Sequence, residues 1–146
     1  MDESSRQTRS VVVERELPFP PERIWRALTQ PHLIEDWLMK SDFEPIVGRR
    51  FNLRRQPQPD LEIVIDCEVL EVEPNRTLSY TWSALELDTI VTFTLTPTGS
   101  GTRLRMEQSG FQPDQKRACA GATAGWHRFF AALEQLLAQG DAGETV

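Results

Sequence analysis

The chain of 146 residues is sparing with the side chains that most often do chemistry: two histidines, two cysteines and one tyrosine. His32 and His127 fall in different segments, and neither stands at a ligand spacing from a cysteine or carboxylate, so the sequence supports no bound metal. A nucleophilic pair of Cys119 and His127 fails on geometry, because their separation along a helix is about 12 Å of rise, far beyond hydrogen-bond reach. Cys67 with His127 is left open by spacing alone, although a thiol buried in an apolar strand and a histidine on a helix surface is the plainer reading. Gly99-Ser100-Gly101 lies in a hairpin, without the strand-to-helix setting in which glycine-rich loops cradle phosphate. No cofactor is implied. What remains is a set of polar groups able to orient a ligand, namely Tyr80, His127, Glu68, Asp88 and Gln108, and strand phase decides which of them point inward.

The elements that must position these groups follow from the hydrophobic period. Residues Ser10 to Leu17 form a β-branched run passing into alternation, a first strand. Proline at Pro20 or Pro21 opens a short helix with Ile24, Trp25 and Leu28 as its stripe, and Pro31 separates it from a second short helix ending at Trp37. From Asp42 the period changes to two. A short strand at Phe43 to Ile46, a turn at Val47-Gly48-Arg49 and a strand at Arg50 to Gln56 are expected, followed by a proline-punctuated loop from Gln56 to Asp60. Leu61 to Glu73 is a long strand whose alternation slips near Val69-Leu70, a bulge signal. Strands at Thr77 to Ser83, Leu85 to Thr96 and Thr102 to Gln108 complete the meander, the last two joined by the hairpin signal Thr98-Gly99-Ser100-Gly101. The chain then enters a long helix from Asp114 to about Ala138.

That helix has two dissimilar halves. Trp126, Phe129, Phe130, Leu133, Leu136 and Leu137 recur at helical spacing and must be buried. Ahead of them, residues Ala118 to Gly125 are all small. Either glycine and alanine let the helix backbone approach the sheet, or the space beneath stays open as a pocket, ligand sites being typically concave and mostly apolar. Such a pocket would be walled by Phe51, Tyr80, Trp82 and Phe93, with Ala122 in its ceiling. Trp37, Leu38 and Met39 would stand at its mouth, and Trp126 and Phe130 at its closed end.

The bulk properties narrow the field. A formal charge of −6 argues against nucleic acid and anionic membrane surfaces, and the cluster Arg49, Arg50, Arg54 and Arg55 reads as a solvated sheet face. No apolar run is long enough to insert in a membrane, and two cysteines without a pairing pattern fit the cytoplasm. One domain over residues 10–139 is expected, between disordered tails at 1–9 and 140–146, as a monomer or homodimer. Helix and strand lengths match, which suits an α+β domain in which a curved antiparallel sheet of six or seven strands wraps the C-terminal helix.

FPPERIWRALTQPHLIEDWL, CEVLEVEPNRTLSYTW, TIVTFTLTPTGSGTRLRMEQSGF and GWHRFFAALEQLL occur in an order that resembles the START-like (SRPBCC) superfamily with its helix-grip fold, and within it the activator-of-90-kDa-heat-shock-protein-ATPase homologues, or Aha-type domains. The blocks span nearly all of the chain from Ser10 to Leu137. Cys67 stands where many members carry a glycine. The resemblance implies a small hydrophobic or aromatic ligand held between the last helix and the sheet. It also implies two alternatives: a co-chaperone-like partner of a heat-shock chaperone ATPase, and an enzyme of the polyketide cyclase or hydrolase kind. The third would need an acid and a base converging in the pocket, and no such pair stands out.

Overall fold

The structure, a computed structural model, describes the backbone of residues 8–84 and 86–144 and side chains as far as residue 139. Ten elements follow one another: β1 (Arg9–Leu17), α1 (Pro21–Thr29), α2 (Pro31–Trp37), β2 (Lys40–Ser41), β3 (Arg50–Gln58), β4 (Leu61–Glu73), β5 (Thr77–Ala84), β6 (Leu87–Pro97), β7 (Thr102–Phe111) and α3 (Lys116–Glu144). Of the two expected tails, residues 1–7 lie outside the described residues. At the other end α3 is continued through 140–144, whose side chains lie outside them.

All seven strands form one antiparallel sheet in the order β1-β7-β6-β5-β4-β3-β2. Hairpin succession accounts for all of it except the β1–β7 pair, which brings the two ends of the fold together. Alternation sets the faces: Leu78, Tyr80 and Trp82 on β5, Thr89, Val91, Phe93 and Leu95 on β6, and Leu104 and Met106 on β7 are all buried, as their phase requires. The slip read at Val69-Leu70 is a bulge. Val69 pairs with Tyr80 and Glu71 with Ser79, so Leu70 is passed over and turns outward. Bending there lets β4 curl around the core.

Helix boundaries are set by proline. Pro21 and Pro31 sit at the starts of α1 and α2, where a missing N–H costs nothing, and Gln30 ends one helix and begins the next. α3, 29 residues long, is about 43 Å by its rise and so matches the 13-residue β4 at about 43 Å. It is tied to β1 by the Arg15–Glu134 ion pair at 2.7 Å. At the corner between β7 and the β1–α1 turn, a Cβ on Gly101 would lie 2.1 Å from the Leu17 carbonyl oxygen, so this close approach needs glycine. Thr102 Oγ1 donates to the Phe19 carbonyl at 2.7 Å beside it.

Several boundaries differ from expectation: β6 begins at Leu87, β7 runs on to Phe111 and α3 spans Lys116–Glu144, and the larger differences lie around β2 and β3. No strand forms at 43–46; the strand is instead the two-residue β2 at Lys40–Ser41, and 42–49 is a loop. Pro45 cannot donate to a ladder, and Phe43 turns into the core, 2% exposed. β3 also runs on to Gln58, past Pro57, because a register shift between Arg55 and Gln58 accommodates the proline and leaves a tight turn at 59–60.

Candidate ligand site

The residues expected to line a pocket do come together, as a continuous set of rings. Cross-strand register places Phe93 opposite Leu78, and Val91 opposite Tyr80, so Phe93 and Tyr80 are diagonal neighbours on the inner face. Phe93 is the junction. On one side it meets Trp37 (6.3 Å between centroids, 77° between planes) and Trp126 (5.8 Å, 73°), and Phe130 closes that group at 6.4 Å from Trp37 and 6.1 Å from Trp126. On the other side it meets Tyr80 at 6.1 Å, and Tyr80 meets Phe51 edge to face at 5.0 Å. Trp82 joins through Trp126 at 5.4 Å. These separations lie in the range where edge-to-face and tilted pairs attract beyond their buried area.

Trp37, Leu38 and Met39, expected at an open mouth, are buried members of the core, at most 8% exposed. Trp37 Nε1 donates to the Ala27 carbonyl at 2.8 Å, which fixes α2 on α1. The small-residue half of α3 divides by face. Ala118, Cys119 and Ala122 are half-buried against the core and Gly125 is buried, while Gly121 and Ala124 face solvent. A Cβ at Gly121 would meet nothing within 4 Å. The bare half therefore meets the core along one face only.

Of the polar groups picked out for orienting a ligand, Tyr80 and Gln108 are buried; His127 and Asp88 are exposed and Glu68 half-buried. Gln108, 1% exposed, is already engaged. Trp126 Nε1 donates to Gln108 Oε1 at 2.9 Å, Gln108 Nε2 donates to Thr89 Oγ1 at 3.0 Å, and Thr89 Oγ1 donates to the Trp82 carbonyl at 2.9 Å. This relay locks α3 to β7 and β6 through its largest side chain. Gln108→Leu keeps the bulk but strands a buried indole N–H, and should cost about 1–3 kcal/mol in urea unfolding. Adding Trp126→Phe to that variant should cost less than the two changes do separately, because the stranded donor is gone.

The other inward cluster centres on Tyr80 and Cys67. Burial pushes the Cys67 thiol well above its ordinary range, with the Asp66 and Asp42 charges adding to the effect, and burial does the same to the Tyr80 phenol, with Cys67 as the lesser cause. Both are neutral at pH 7, so neither serves as a ready nucleophile. Cys67 Sγ lies 3.7 Å from the Ile65 carbonyl, a weak contact. The Tyr80 hydroxyl makes no hydrogen bond among the described residues.

Sequence reasoning missed Phe43 here. Its ring stands 4.9 Å from Phe51 at 87° and 6.2 Å from Tyr80, capping this end of the aromatic set. Phe43 belongs to no ladder; its N–H donates to Ser41 Oγ at 3.1 Å, while Asp42 Oδ1 accepts from Asn52 N–H at 2.9 Å. The signal available was an aromatic two residues ahead of a proline, too short a pattern to assign a face. Among the described residues no group of three or more His, Cys, Asp or Glu is arranged to hold a metal, and no helix is long and apolar enough to cross a membrane.

A curved seven-stranded antiparallel sheet closed on a long C-terminal helix, with two short helices after the first strand and an aromatic interior between them, defines a helix-grip, START-like domain. The chain belongs to the family described as Activator of Hsp90 ATPase homolog 1-like protein, whose model matches residues 18–138. Among solved structures, protein MLL2253 from Mesorhizobium loti is 62% identical with a TM-score of 0.83, over 90% of this chain and 98% of that one. Protein CV1439 from Chromobacterium violaceum is 25% identical, TM-score 0.78, over 88% of this chain and 96% of that one. DynU16, from the dynemicin biosynthetic locus, is 26% identical with a TM-score of 0.78; the match covers 90% of this chain and 48% of DynU16. No curated protein matches the chain.

Proposed function

We propose that this domain binds a small hydrophobic or aromatic molecule between α3 and the sheet, at the Tyr80 end of the ring set, with Phe43 giving way to admit it. The Tyr80 hydroxyl carries the reading. The hydroxyl of a buried tyrosine with no partner among the described residues forgoes a hydrogen bond that a ligand acceptor would supply. Phe51, Tyr80 and Phe93 provide the faces and edges against which an aromatic body packs, and Ala122 leaves the helix side low. The loop that seats Phe43 lies outside the strand ladders and turns at Gly48, whose φ of +90° suits glycine alone among common residues. The setting of DynU16 in a biosynthetic locus favours a small-molecule ligand over a protein client.

Saturable quenching of tryptophan emission by a naphthol or a fatty acid is the expected observation, since Trp126, Trp82 and Trp37 all adjoin the ring set. Tyr80→Phe should weaken binding roughly threefold to tenfold, the worth of one hydrogen bond, with folding intact. Phe43→Ala should tighten it by removing the occupant. If neither wild type nor Phe43→Ala gives saturable quenching with a broad set of apolar and aromatic compounds, the reading fails. The competing reading, activation of a chaperone ATPase, rests on the family description; acceleration of a purified chaperone ATPase by the domain, unchanged in Tyr80→Phe, would replace the ligand reading with it.

A further inference from the structure

On the far side of β3 from the aromatic core, the sheet edge carries a groove of about 390 Å³ lined by residues of β2, β3 and β4. Three cations line it: Lys40, Arg54 and Arg55. Lys40 and Arg54 are direct cross-strand partners in the β2–β3 register, so their side chains leave the same face side by side. Like charges placed directly opposite one another destabilise a strand pair, and no carboxylate relieves this one. Lys40 and Arg55 have neither a hydrogen bond nor an ion pair among the described residues, and Arg54 reaches only Asn52 Oδ1, at 3.4 Å. On the β1–β7 face, by contrast, Arg103 is held to Glu16 at 2.7 Å and Arg105 to both Glu14 and Glu107.

Two carboxylates also line the groove. Asp42 is already committed, its Oδ1 accepting the Asn52 N–H at 2.9 Å. Glu62 forms no ion pair with any of the three cations. Asn52 is turned away by donating to Asp66 Oδ1 at 2.8 Å, and Gln56 Nε2 donates to the Pro59 carbonyl at 2.8 Å, which leaves Lys40 and Arg54 as the cations open to a ligand on this face. Arg55 follows Arg54 on β3 with no register shift between them and so leaves the opposite face, which makes Lys40 and Arg54 the pair on this one. One guanidinium fork and one ammonium on adjacent strands match a compact dianion: the fork can take two oxygens side by side, and the lysine supplies a point charge. The groove's volume lies within the range of small-molecule sites.

We infer that this groove is a second binding site, separate from the aromatic interior, for a small molecule carrying a phosphate-type dianionic group, held by Lys40 and Arg54. The two sites stand on opposite faces of β3, where Leu53 points into the core and Arg54 out of it. The inference is independent of the ligand proposed for the interior.

Inorganic phosphate and glycerol phosphate, titrated into the full chain at constant ionic strength set with chloride, test it. The expected result is a saturable rise in melting temperature, with backbone amide shifts in a nitrogen–proton correlation spectrum centred on residues 40–42 and 52–56. Arg54→Ala and Lys40→Ala should each weaken the affinity about tenfold or more, as losing a charge-assisted hydrogen bond does. Arg54→Lys should fall between wild type and Arg54→Ala, because charge is kept and the fork is lost. These side chains are exposed, so the variants are expected to fold. A response that matches the chloride control, or saturable binding that survives in the Lys40→Ala and Arg54→Ala double variant, overturns the assignment.

Discussion

Phe93→Ala should lower the unfolding free energy by about 3–5 kcal/mol, a large share of the roughly 5–15 kcal/mol that holds a domain of this kind together. The ring is 0% exposed and touches Trp37 of α2, Tyr80 of β5 and Trp126 of α3, so one truncation loosens three elements at once. Its transfer free energy accounts for part of the loss. The rest comes from the space left behind, which rigid neighbours cannot fill: Trp37 is pinned by its bond to the Ala27 carbonyl and Trp126 by its bond to Gln108. Collapse of the site around an alanine would break one of those bonds. Urea unfolding at pH 7 measures the loss, and a cycle with Trp126→Phe tests the coupling. An interaction energy near zero would show that Phe93 and Trp126 act as independent core residues. A loss under about 1 kcal/mol would mean the rings are loosely packed.

The same junction marks how far the sequence could be read. Period-two alternation puts Tyr80, Trp82 and Phe93 on the inner face without any tertiary knowledge, because in a strand the phase of one residue settles the phase of the rest. The bulge at Leu70 was legible for the same reason, as a break in that phase. Three things were not. Phe43 sits in a segment with no period, and only Phe51 and Tyr80, from β3 and β5, give it a place. The partner of Gln108 comes from α3, and no local pattern announces which polar residue of a strand will meet an indole N–H from another element. The small half of α3 was ambiguous because helical spacing gives relative angle but no origin; packing supplied the origin, turning Ala118 and Ala122 to the core and Gly121 away from it. Strand faces are thus an internal property of the chain, whereas a site built across elements depends on contacts of high sequence separation.

Stability should decline steeply on the alkaline side, and Cys67 should account for the first part of the decline. Cys67 and Tyr80 both have pKa values raised in the folded protein, chiefly by burial. Each is an acid whose neutral form the fold favours, so the native state holds the proton after the unfolded chain has released it. Stability then falls with pH wherever the unfolded state binds fewer protons. The contribution is complete below the unfolded thiol pKa of about 8.5. It is lost as pH rises above that value, at up to about 1.4 kcal/mol per unit for each group, with Tyr80 adding its share above about pH 10. By about pH 10.5 the thiol alone should have removed roughly 2–3 kcal/mol. The difference between wild type and Cys67→Ala isolates the effect: the variant, less stable at pH 7, should close the gap and then overtake as pH rises. Urea midpoints between pH 7 and 10.5 measure this, and a gap that stays constant across the range would show that the thiol ionises as readily in the fold as in the open chain. Thiol labelling gives an independent reading of the same burial. Cys119, half-buried on α3, should react with a disulfide reagent in the native protein at pH 8, whereas Cys67 should react only at the rate of unfolding.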